Sequence, residues 1–131
     1  MGELDTEDDV GQFTVRLTFH LAAPAGPRTF EALVDTGAAY TVVPRPLLEP
    51  LRFEILRTQR VVLADGRIEE WPLCELVVEY EGRRATTPVL VSPSEGPILP
   101  GAVTLEALGL GIDPVHRPLV PIDLYVAYGI G

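Results

Sequence analysis

Between Phe13 and Leu21 apolar and polar residues alternate without a break, with Phe13, Val15, Leu17, Phe19 and Leu21 interleaved by Thr14, Arg16, Thr18 and His20. A two-residue period is the pleat of a strand with one face buried, whereas a helix would scatter these side chains around its circumference. Thirteen prolines extend the constraint to the rest of the chain. Each one fixes φ and removes a backbone donor, so many short strands joined by turns are expected and few helices. Pro24-Ala25-Gly26-Pro27 supplies the first turn, and Arg28 to Val34 reads as the returning strand, which delivers Asp35 at its end.

The pattern continues in short units. Thr41-Val42-Val43 is a β-branched run closed by Pro44, and Pro46 to Leu51 has room for one helical turn. Arg60 to Leu63 and Arg67 to Trp71 flank Ala64-Asp65-Gly66, which predicts a projecting hairpin with a type I′ turn. Leu76 to Tyr80 and Ala85 to Val91 flank Glu81-Gly82 and predict a second hairpin. Val103 to Leu108 carries good helix formers and is followed by Gly109, where a glycine would end a helix. Past it, Ile112-Asp113, a turn over 114–118 and Leu119 to Ile122 suggest a last hairpin, and Asp123 to Ile130 a loose apolar end.

A chain of 131 residues with 47% apolar residues fits one domain with a genuine core. No apolar run approaches the roughly 20 residues of a membrane-spanning helix, so no membrane partner is expected. The first residues have neither a basic region nor an apolar one, so they do not read as a secretory signal, and a cytoplasmic location is expected. Residues 1–10 hold five acids and no base; removing these five from the net charge of −9 leaves −4 for the remainder. Residues 1–11 thus read as an acidic disordered tail, with masking of a cleft or self-trimming as its functional alternative, and residues 12–131 as the folded domain. Without clustered basic residues, nucleic acid is not an expected partner. Cys74 is the single cysteine, which forbids an intrachain disulfide and makes a small core residue its simplest role. His20 and His116 lack partners at ligand spacing, so both read as surface histidines, and neither metal nor cofactor is expected. Trp71 is expected in the core, with a cleft wall as the functional alternative.

Asp35-Thr36-Gly37 alone fits any β-turn, but its surroundings add to it. Val34-Asp35-Thr36-Gly37-Ala38 followed by Thr41-Val42-Val43, then the Asp65-Gly66 hairpin, Gly82-Arg83-Arg84, Thr87 to Val91, Ile98-Leu99-Pro100-Gly101 and Leu105 to Gly109 stand in the order of a family. Over roughly residues 12 to 122 the chain resembles the retropepsin-like aspartic proteases, single-lobed homodimeric relatives of pepsin, and among them the stand-alone enzymes of bacteria and archaea. The resemblance implies an all-β fold, an acid-protease barrel with a flap hairpin and one short C-terminal helix. It implies a homodimeric endopeptidase acting on peptide or unfolded protein, in which two Asp35 carboxylates, one per subunit, activate a water. Thr36 and Gly37 would support the active-site loop, Ala38 and Ala39 would border the substrate cleft, and Ala64, Asp65, Gly66 and Arg67 would form the flap.

Three features depart from the viral pattern. Asp65 and Arg67 put charge beside a flap tip that is glycine-rich and apolar in retroviral members. Pro100 has no N–H to donate, and Ala102 stands where retroviral members carry an arginine that braces the dimer. The C-terminal segment is longer than the retroviral one, which leaves other pairing strands open. Two alternatives follow: a non-catalytic module of the same fold that binds extended peptides or a protein partner, and a monomeric small β-barrel with an incidental Asp-Thr-Gly turn.

Overall fold

The computed structural model describes residues 12–35, 37–49, 53–113, 115 and 119–129. The expected acidic tail, Thr36, the end of the 46–51 turn and most of the 114–118 turn, His116 included, lie outside the described residues. Strand β1 (Gln12–Leu21) pairs antiparallel with β2 (Gly26–Asp35) in one unbroken register, Leu21 opposite Gly26 and Gln12 opposite Asp35. The alternation read from the sequence is obeyed: Val15, Leu17, Phe19 and Leu21 are buried, and Ala32 and Val34 of β2 join them. Full burial of such a side chain contributes about 1.5–3 kcal/mol, and a one-residue slip would turn the whole row to solvent. The register of Asp35 is therefore fixed by the core twenty residues of hairpin behind it.

Then come β3 (Thr41–Pro44), a single helical turn α1 (Arg45–Leu48), β4 (Arg57–Val62), β5 (Ile68–Tyr80), β6 (Arg83–Ser92), α2 (Ala102–Leu108), β7 (Leu110–Ile112) and β8 (Leu119–Pro121). The main sheet runs β2-β1-β5-β6-β3, with β4 paired to β5, while β7 and β8 form a separate hairpin. All-β architecture with a short late helix matches expectation. Among the described residues strand pairing does not close the sheet into a barrel, because β2 and β3 end the path. Ile98 and Leu99 span that opening: the Leu33 N–H donates to Ile98 O at 2.8 Å, and Val42 and Leu99 exchange both backbone bonds at 2.9 Å.

One hairpin departs from the turn type expected of it. At Leu63-Ala64-Asp65-Gly66 the Gly66 N–H donates to Leu63 O, and among these residues only Gly66 has positive φ. That is a type I turn closed by a left-handed glycine, not the expected type I′, which needs positive φ at both central residues. The Asp65 carboxylate accepts the Arg67 N–H at 3.0 Å and so takes part in the turn itself. Type I′ geometry occurs instead at Glu81-Gly82, where φ is +48° and +87° and Tyr80 faces Arg83.

Strand β5 is one element where the sequence suggested two, running straight through Pro72. Counting in twos from the Leu63–Arg67 bond puts Pro72, opposite Thr58, at a position whose nitrogen faces away from β4. On its other edge the pairing with β6 stops at Leu73. Pro72 therefore breaks no ladder bond, and β5 links the projecting hairpin rigidly to the core sheet.

Cys74 is fully buried in that sheet, and burial pushes its thiol up to about 11, leaving it protonated and inert. Helix α2 ends as expected, with Gly109 left-handed at φ 73°, and the Arg83 guanidinium donates to Leu108 O at 3.0 Å. His20 is not the ordinary surface histidine expected: it is half-buried, and its Nε2 lies 2.7 Å from Glu79 Oε1, which also accepts from Arg84 Nε at 3.2 Å. The neighbouring His20, then Arg84, hold the Glu79 carboxyl below its usual range. A carboxylate with a lowered folded pKa stabilises above its unfolded pKa and loses that contribution as pH falls through the folded value. Glu79→Gln is thus expected to lower Tm slightly at neutral pH and to match the parent near pH 2, measured by thermal denaturation; an equal deficit at both pH values would contradict the ion-pair origin.

Candidate active site

Asp35 closes β2, and its backbone position opposite Gln12 is set by the hairpin register. Its side chain, like all of Thr36, lies outside the described residues. Gly37 is exposed in a turn, Ala38 is half-buried, Ala39 exposed and Tyr40 half-buried, before Thr41 re-enters the core as the first residue of β3.

What holds this loop is the start of α2. The first N–H groups of a helix have no intrahelical acceptors. Here the Ala102 N–H donates to Ala38 O at 2.9 Å and the Val103 N–H to Ala39 O at 3.0 Å. The approach is closer than any side chain allows, since a Cβ on Gly101 would stand 2.4 Å from Ala39 O and 2.4 Å from the Tyr40 carbonyl carbon. Beneath the contact the Thr41 hydroxyl accepts the Gly101 N–H at 2.9 Å and is hydrogen-bonded to Thr104 Oγ1, which pairs with Thr87 Oγ1 at 2.7 Å. All three threonines are fully buried. One polar cluster therefore ties the loop, β6 and α2 together, and all its hydroxyls have partners.

This arrangement also answers the Pro100 departure. Leu99 makes the pairing with Val42, Gly101 donates to Thr41, and Pro100 between them is fully buried, so no donor is required of it.

A groove of about 420 Å³ opens between the loop and the projecting hairpin, within the size range of small-ligand clefts. Ala38, Ala39 and Tyr40 border it on one side, and Gln59 to Val62 of β4 with Leu63 and Trp71 on the other. Of the loop and cleft residues expected from sequence, Ala38 and Ala39 line this groove. Ala64, Asp65, Gly66 and Arg67 are exposed at the hairpin tip and do not line the groove. Trp71 does line it, half-buried, so the core placement expected of it is corrected: as Gln59 and Trp71 stand opposite each other, the indole lies on the inward face of a two-stranded hairpin, not within the main sheet. Tyr40, Gln59 and Val61 also border the groove and were not singled out in the sequence. Gln59 and Val61 are the less exposed alternate residues of β4, but the run Arg57-Thr58-Gln59-Arg60-Val61-Val62 carries no apolar alternation that marks them in the sequence.

The tip is charged but self-paired. Arg67 Nε donates to Asp65 Oδ2 at 2.8 Å, and the Arg67 backbone N–H and side chain hold the Asp65 carboxyl below its usual range.

No protein-family model matches the chain, and no curated protein does. Among solved structures it is similar to the solution structure of the protease of simian foamy virus (mac), with a TM-score of 0.52 and 22% identity, over 72% of this chain and 92% of the viral one. The fold is retropepsin-like. In this retropepsin-like fold the loop after β2 and the hairpin of β4 and β5 border one groove, and Gly101 is the residue that lets the loop pack this closely on the start of α2. Gly101→Ala is expected to cost about 2–3 kcal/mol in urea denaturation, since backbone atoms must move to admit the methyl group; a loss under about 0.5 kcal/mol would contradict the close approach.

Proposed function

We propose that the chain is an aspartic endopeptidase that works as a homodimer, in which two Asp35 residues, one from each copy, form the catalytic pair. The observation that carries the reading is the placement of Asp35: it ends a register-locked strand beside a loop that borders a groove in a retropepsin-like fold. The sequence contains no second Asp-Thr-Gly or Asp-Ser-Gly, so one chain supplies half of such a site.

Two carboxylates in close contact cannot both ionise readily, and the pair holds one proton between them. The ionised member takes a proton from water as the water oxygen bonds to the scissile carbonyl carbon, and the protonated member gives its proton to the carbonyl oxygen. Collapse of the tetrahedral species restores the carbonyl, breaks the C–N bond and delivers a proton to the leaving amine. Thr36 and Gly37 would steady the two loops across the dimer axis, and small Ala38 and Ala39 leave room at the mouth for an extended peptide. The hairpin of β4 and β5 would act as a flap, with Ala64 to Arg67 at its tip, closing over peptide or unfolded protein and pairing with its backbone as an added strand.

Pairing of two copies is supported by the C-terminal segment, where Leu124, Tyr125, Val126 and Tyr128 are 63%, 95%, 72% and 89% exposed in one run outside any strand or helix. No described helix is long and apolar enough to cross a membrane, and a stand-alone enzyme of the bacterial and archaeal type, in the cytoplasm, is the setting we propose.

A non-catalytic module that binds extended peptides is the second reading. It is favoured by the tip, where Asp65 and Arg67 neutralise each other in solvent and present polar groups where a closing flap would meet ligand.

Asp35→Asn is the deciding variant. Cleavage of a denatured protein at mildly acidic pH should fall by about a thousandfold or more, while circular dichroism and sedimentation stay as in the parent. Unchanged turnover would refute the catalytic role, and absence of cleavage by the parent across the acidic range would leave the binding module as the better reading.

A further inference from the structure

Asp65, Arg67, Glu69 and Trp71 occupy alternate positions along one face of the hairpin, and their side chains form an unbroken hydrogen-bonded series. Arg67 Nε donates to Asp65 Oδ2 at 2.8 Å, Arg67 Nη1 to Glu69 Oε2 at 3.3 Å, and Trp71 Nε1 to Glu69 Oε1 at 2.8 Å. The series begins at the exposed tip and ends on a half-buried indole in the groove wall.

Surface ion pairs of this kind add little to stability. Their geometric effect is larger. An indole has one donor and no acceptor, so a single hydrogen-bond partner anchors its N–H edge. That partner is one oxygen of Glu69, whose other oxygen is held by Arg67, which is held in turn by an Asp65 fixed in the turn by the Arg67 N–H. The ring so placed is the largest side chain lining the groove, whose lining also includes Tyr40, Val42, Val61 and Leu90.

Resting on the endopeptidase or peptide-binding reading of this groove, we infer that Trp71 is the side chain through which the groove discriminates among peptide ligands, favouring those that lay a bulky apolar side chain on the indole, and that Asp65, Arg67 and Glu69 are positioning residues that hold the ring for this contact. The charged tip then has a use in a flap: its charges are spent on orienting Trp71.

Trp71 is the only tryptophan in the chain, so its fluorescence reports on the groove directly. Reduced carboxymethylated lactalbumin, freed of its own tryptophan signal by chemical modification and labelled with a dye remote in wavelength, serves as an unfolded probe. It would be titrated into the full chain carrying Asp35→Asn, with binding followed by anisotropy and Trp71 by emission. Saturable binding with a parallel change in Trp71 emission is expected. Adding Glu69→Ala should weaken binding about fivefold, the worth of one hydrogen bond, and raise acrylamide quenching of Trp71. Glu69→Gln, whose amide oxygen can accept the same N–H, should restore both, and Trp71→Ala should weaken binding by about tenfold or more.

In the chain with Asp35 intact, Trp71→Ala should also shift the residues flanking the cut bonds away from bulky apolar ones, read by mass spectrometry of digested casein. Cleavage by the parent with flanking residues unchanged in Trp71→Ala would overturn the inference while leaving the endopeptidase reading standing. Binding that leaves Trp71 emission unmoved, or a Glu69→Ala variant indistinguishable from Glu69→Gln, would overturn it also. Emission changes without any cleavage would refute catalysis alone, and the absence of both binding and cleavage would overturn both.

Discussion

The contact between the loop at Ala38-Ala39 and the first turn of α2 is the constraint on which the rest of the site depends. Two helix N–H groups that would otherwise need solvent find acceptors in two loop carbonyls, and a loop that would otherwise be free is held at both. Because Gly101 lets the backbones touch, the fully buried Thr41, Thr87 and Thr104 hydroxyls can satisfy one another beneath. Each part would be costly alone: an uncapped helix start, an unanchored loop, or a hydroxyl buried without a partner. Together they fix the loop that follows Asp35 against β6, the strand that also carries β5 and its projecting hairpin.

Both walls of the groove are thus set by the same sheet. The core residues of β1 and β2 lock the register that delivers Asp35, and Ile98-Leu99 bridges the two strands between which the loop hangs. On the other side β5 passes unbroken from the core to the hairpin, so Trp71 is positioned relative to the loop by one strand. A groove built this way owes little to loop ordering and is present before any ligand arrives.

Much of this could be read from residues, where the signal was local. Phe13 to Leu21 announced β1, Gly109 announced the end of α2, and the order of motifs around Asp35 pointed to the retropepsin-like fold. Signals failed where a neighbour in space decided. Asp-Gly at 65–66 is a strong type I′ pair in isolation, but the Asp65 carboxylate bonds the Arg67 N–H and the turn becomes type I, while the less promising Glu81-Gly82 takes the primed form. The gap read between Trp71 and Leu76 is closed in β5, because the Pro72 nitrogen faces away from β4 and lies beyond the pairing with β6. His20 looked solvated until Glu79, 59 residues on, was placed beside it. The anchoring of Ala38 and Ala39 by residues 102 and 103 joins positions about sixty apart, and no local pattern encodes it.

The central claim is that one chain carries half of a shared site, with Asp35 contributed twice. Mixing tests it most directly. At constant total protein, blending parent chain with Asp35→Asn chain and allowing exchange should make cleavage fall with the square of the parent fraction, to about a quarter at equal amounts, because only pairs of parent chains hold both carboxylates. A linear fall, to about half at equal amounts, would mean that a single chain carries the whole activity and would contradict the account.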